Sequence, residues 1–113
     1  MSYPLQSTDV PLTATHPGDL LKDEMEERGL TQQQLAEKLS VSQPLLSEII
    51  NHKRRVSLEM ALKLEETVEI PEETWLNLQK RYDFVTAYHR HQKALDKINV
   101  PTLRKEALLA ALI

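Results

Sequence analysis

The sequence predicts an all-α fold, and three observations carry that prediction. Only two glycines occur in 113 residues, while alanine, leucine, glutamate, lysine and glutamine, which lose least on entering a helix, dominate. Apolar residues recur at three- and four-residue spacing, the mark of helices that bury one face. The alternation of a half-buried strand appears nowhere, and neither does a repeat or a low-complexity segment. A chain of this length is read as one domain with a single modest core.

Residues 1–17 contain three prolines and little periodicity, and are read as an irregular N-terminal arm. His16, beside Pro17-Gly18, belongs to the lead-in of a first helix that places Leu20, Leu21 and Met25 on one face and stops at Gly29. Thr31 followed three residues later by Gln34 has the form of a capping box. It opens a short second helix with Leu35, Ala36 and Leu39 inward. Ser42 is expected to cap a third helix, so that Gln43 and Pro44 take its first two positions, where the N–H that proline lacks has no intrahelical partner anyway. Gln43 resists the α conformation because a proline follows it, and is the alternative cap. Leu46, Ile49 and Ile50 supply the buried stripe of this helix.

Ser57 caps a fourth helix, with Leu58, Ala61, Leu62 and Val68 expected inward. Pro71, Glu72 and Glu73 open a fifth, with acids at the positive end of its dipole. Trp75, Leu78, Tyr82 and Val85 follow helical spacing along it. An apolar segment at residues 107–113 ends the sequence, read either as completing the core or as meeting its copy in a second subunit. The domain reading is an arm at 1–17, a helical domain at 18–90 and a helical extension at 91–113 with a dimerising role.

Composition excludes several chemistries. With no cysteine there is no disulfide, thiolate or cysteine-based zinc site. His89 and His91 are two apart and do not share a helix face, so no metal is expected. No glycine-rich phosphate loop or nucleophile motif appears, so no cofactor and no catalytic residue is expected. The start lacks a signal-peptide pattern, and no run reaches the ~20 apolar residues of a membrane span. A cytoplasmic protein, nucleoid-associated and away from membranes, is the expectation.

The net charge of −3 and pI of 5.8 would argue against a nucleic-acid partner, were the charges not segregated. Residues 18–28 carry −3 and residues 59–73 carry −5, whereas residues 31–57 carry +2 and residues 80–105 carry +5. An acidic protein can therefore present a basic face.

The second and third helices, joined by Ser40 and Val41, have the layout of a helix-turn-helix. Ala36 stands where two closely crossing helices need a small side chain. The exposed positions of the third helix are Ser42, Gln43, Pro44, Ser47, Glu48 and Asn51, concentrated at the N-terminal end that enters the major groove in such motifs.

The run L-T-Q-Q-Q-L-A-E-K-L-S-V-S-Q-P-L-L-S-E-I-I-N-H-K-R-R resembles the Cro/repressor-type (XRE) helix-turn-helix. With H-P-G-D-L-L-K-D-E-M before it and S-L-E-M-A-L-K-L-E-E-T and W-L-N-L-Q-K-R-Y-D-F after it, residues 16–84 resemble the HigA antitoxin family, also called VapI-like. Ser40 replaces the usual turn glycine, and the tail after residue 90 is long. The resemblance implies a five-helix lambda-repressor-like DNA-binding domain followed by a C-terminal helical extension. It also implies a dimer that represses its own operon and, in complete systems, neutralises a RelE-like mRNA endonuclease toxin.

Chemistry gives each candidate a role on double-stranded DNA. Gln43 is suited to a bidentate pair with adenine N6 and N7, worth about 1–3 kcal/mol of discrimination. Ser42 and Ser47 reach neighbouring base edges, and the Pro44 ring suits a thymine methyl. Gln32 and Gln33, at the start of the second helix, suit phosphate, as do Asn51, Lys53, Arg54 and Arg55 beyond the third. A homodimer would read inverted half-sites about one helical turn apart. Glu48 could accept from cytosine N4, although a solvated glutamate is the stronger reading. Trp75 and Tyr82 could stack bases, but their spacing with Leu78 favours the core. A helical interaction module that never touches DNA is the remaining rival, supported only by the acidic pI.

Overall fold

The computed structural model describes residues 10–97 and Ala110. In order along the chain the helices are α1 (Pro17–Arg28), α2 (Gln32–Leu39), α3 (Gln43–Ile50), α4 (Leu58–Val68) and α5 (Glu72–Lys97). There is no strand among the described residues. The fold is that of a lambda-repressor-like helix-turn-helix domain.

Local chemistry sets the helix ends. Thr31 Oγ1 accepts from the Gln34 N–H at 3.1 Å while Gln34 Oε1 accepts from the Thr31 N–H at 2.9 Å, the reciprocal capping box. Ser42 and Ser57 cap α3 and α4 by accepting from Leu45 N–H and Met60 N–H. Gly29 ends α1 at φ 66°, where a residue with a side chain would be strained. Ser40 ends α2 in the same left-handed region at φ 57°. The Val41 N–H then reaches back to Ala36 O, closing the turn that joins α2 to α3.

One compact unit spans Thr15–Lys80. Its core gathers Leu21 and Met25 from α1, Leu35, Ala36 and Leu39 from α2, and Leu46 and Ile49 from α3. Val56, then Met60, Ala61, Leu64 and Val68 of α4, and Trp75 of α5 complete it. Trp75 is wholly buried and its Nε1–H donates to Ile70 O at 3.2 Å, so the ring is core and not a stacking platform. Gln79 is also buried, and its Oε1 accepts from Val56 N–H at 2.8 Å. That bond ties down the end of the loop between α3 and α4.

The phase of α4 differs from the sequence expectation. Met60, Ala61, Leu64 and Val68 face the core, whereas Leu58 and Leu62 are 58% and 48% exposed. Leu62 and Leu64 are two residues apart, about 200° round a helix, so they cannot share a face. The stripe that begins at Met60 goes inward, and the one that begins at Leu58 is left facing solvent.

The other unit comprises the described parts of Met1–Ala14 and Arg81–Ile113. Val10, Val85 and Tyr88 form a small cluster there, with Ala14 and Phe84 against it. His89 Nε2 lies 2.6 Å from Pro11 O and donates to it, which ties the two segments of this unit together. Of the apolar segment 107–113, all but Ala110 lies outside the described residues, as does most of the extension 91–113 expected to dimerise.

Candidate DNA-binding surface

The N-terminal end of α3 is open to solvent. Ser42, Gln43 and Pro44 are exposed, and Ser47, one turn further on, is half-buried. Leu46 and Ile49 on the opposite side are buried and anchor the helix against α1 and α2. Pro44 stands in the first turn and leaves the helix intact. Ser42 spends one acceptor on the cap, which leaves its hydroxyl proton free to be donated outward.

Beyond α3 the chain turns sharply. Asn51 Nδ2 donates back to Ser47 O at 2.9 Å and lies 3.3 Å from Ser47 Oγ, so these two sequence-predicted contacts are linked to one another. Lys53, Arg54 and Arg55 follow and are exposed. Arg54 Nε donates to Glu48 Oε1 at 2.9 Å, with about half of each side chain exposed. This pair is the structural answer for Glu48: it accepts from an arginine, and it restrains that arginine beside α3. At the start of α2, Gln32 is half-buried and Gln33 exposed. Both sit in the first turn, whose amides lie outside the helix's own hydrogen-bond ladder.

Sequence reasoning missed the support behind this surface. His16, assigned only to a lead-in, is the cap of α1: its Nδ1 accepts from Gly18 N–H at 2.9 Å and its own N–H donates to Asp19 Oδ2 at 3.1 Å. A nitrogen that accepts carries no proton, so this imidazole is neutral in that bond. His52, directly after α3, stacks on it with ring centroids 4.4 Å apart and 20° between planes. His52 Nε2 donates to Asp19 Oδ1 at 2.6 Å. Burial alone would raise the Asp19 carboxyl, but the bonds from His52 and from the His16 N–H outweigh it and hold the group below the usual carboxylate range. Gly18 completes the junction: a Cβ there would lie 2.1 Å from Ile49 O. The H-P-G-D run offered the signal, with a proline at the first helical position and an acid at the third.

A short helix that carries polar residues at an open end, set on a partner helix through a tight left-handed turn, defines a helix-turn-helix DNA-binding regulator. The comparisons agree. Residues 21–75 match the helix-turn-helix domain family. Virulence-associated protein I of Dichelobacter nodosus is 34% identical over 88 residues, which cover 77% of this chain and 80% of that protein. An addiction-module antidote protein of the HigA family from Coxiella burnetii has 30% identity and a TM-score of 0.68, over 79% of this chain and 98% of that one. A Pseudomonas aeruginosa protein solved in complex with its 18-bp operator DNA has 32% identity and a TM-score of 0.69, over 80% and 97%.

The chain belongs to the helix-turn-helix family that includes Virulence-associated protein I and the HigA antitoxins. Its members are DNA-binding regulators and antitoxins, not enzymes.

Proposed function

We propose that this protein represses transcription, its own operon included, by binding an inverted-repeat operator as a cytoplasmic, nucleoid-associated homodimer. The observation that carries the reading is the exposed, Ser42-capped end of α3, which presents Gln43 to solvent, with the exposed basic run Lys53, Arg54 and Arg55 following the helix. Gln43 reads adenine, Ser42 and Ser47 reach adjoining base edges, and the Pro44 ring packs on a thymine methyl. Gln32, Gln33, Asn51, Lys53, Arg54 and Arg55 hold the phosphates on either side. Residues from about 71 onward join the two subunits. The test is selection of binding sites from random duplexes at two salt concentrations. A palindromic consensus with steep salt dependence supports the proposal, and no enrichment contradicts it. An operator with its thymines replaced by uracil isolates the Pro44 contact, since only the methyl is lost.

A second activity, neutralisation of a RelE-like toxin, has specific support in the likeness to an addiction-module antidote protein. Co-expression with the product of the neighbouring gene decides it: a stable complex that relieves toxicity supports neutralisation, and no complex opposes it.

A further inference from the structure

We infer that His16, Asp19 and His52 form a clamp that positions the phosphate-binding loop after α3, which makes His52 and Asp19 positioning residues for DNA binding. The inference rests on the reading of this surface as a DNA-binding one. Its starting point is the backbone at His52. The Lys53 N–H bonds to Glu48 O at 2.7 Å and the His52 N–H to Ile49 O at 3.1 Å. These are the two paired bonds of a helix end whose left-handed position is usually glycine. Here the residue is a histidine at φ 64°, a conformation that costs a side-chain-bearing residue relative to glycine.

What the side chain gains is two contacts to α1. The ring stacks on buried His16, and its Nε2 donates to Asp19 at 2.6 Å. Asp19 is itself fixed, because its other oxygen accepts from the His16 N–H. The next three residues are Lys53, Arg54 and Arg55. The clamp therefore holds the residue just before the basic run to the N-terminal end of α1, and the Arg54–Glu48 pair holds one residue within the run to α3. One tether just before the run and one within it restrict where its cations point.

A merely stabilising role and a positioning role predict opposite results at this residue. His52→Gly removes the ring and also removes the backbone cost, so thermal stability should hold or rise while operator affinity falls. The loss should be about tenfold at physiological salt, with the salt dependence shallower by about one phosphate contact. Base preference within the consensus should be unchanged, because Gln43 is untouched. Asp19→Asn keeps an oxygen for the His16 N–H but loses the charge facing His52, and should weaken binding in the same way.

The double variant should bind no more weakly than the weaker single one, as expected for two members of one device. Operator affinity and salt slope unchanged in both single variants would overturn the clamp while leaving the repressor reading intact. Failure of the wild-type protein to bind any duplex would remove both, so the two failures are separable.

Discussion

The two ends of α3 differ in kind, although the helix is only eight residues long. At its start Ser42, Gln43 and Pro44 face solvent, and one serine cap is the local restraint. At its end the backbone is pressed against Gly18, and the residue that leaves the helix is held by a stacked imidazole and a carboxylate. An open end lets side chains choose a partner. A fixed end lets them do so without a fresh entropic cost of ordering the helix on each encounter. The exposed start of α3 is thus set in place by residues outside it, at the N-terminal end of α1.

The largest effect should come from breaking the fixed end. Gly18→Ala places a methyl against Ile49 O, where backbone and not a flexible side chain must give way. Overpacking of that kind should cost about 3 kcal/mol, read as a lowered midpoint in urea unfolding. Arg54→Ala comes next. It should weaken all sequences alike by about tenfold and make the salt dependence shallower by about one contact, as measured by fluorescence anisotropy on specific and scrambled duplexes.

A smaller change, of opposite sign, is expected just before the open end. Ser40 occupies a left-handed position at φ 57°, so Ser40→Gly should stabilise the fold by about 1 kcal/mol without altering base preference. Smallest is the acid response of the clamp. Asp19 has a folded-state pKa below its unfolded value, so its contribution is present above the unfolded carboxylate range near pH ~4 and is lost as pH falls through the lowered value. Asp19→Asn should remove that part of the acid-induced loss of stability. Because the carboxylate is 46% exposed, solvent screening keeps the effect slight.

Much of the fold was legible because its signals are local. The box of Thr31 and Gln34, the cap at Ser42, the stop at Gly29 and the harmless Pro44 each depend on residues within one turn. The phase of α4 was not legible. Its sequence L-E-M-A-L-K-L-E-E-T-V is apolar on more than one side, so periodicity alone could not separate Leu58 and Leu62 from Met60 and Leu64. The clamp was also hidden. Asp19 and His52 are 33 positions apart, and nothing in either neighbourhood announces the other. Gln79 makes the same point, since a glutamine on a helix reads as surface until its distant partner, the Val56 N–H, is known.

The residue proposed to read bases at the open end of α3 is Gln43. Site selection with Gln43→Ala beside wild type tests it most directly. One base-pair preference in each half-site should relax, with a loss of about 1–3 kcal/mol on the wild-type consensus, while contacts elsewhere in the site persist. Recovery of the same consensus at the same affinity would contradict it.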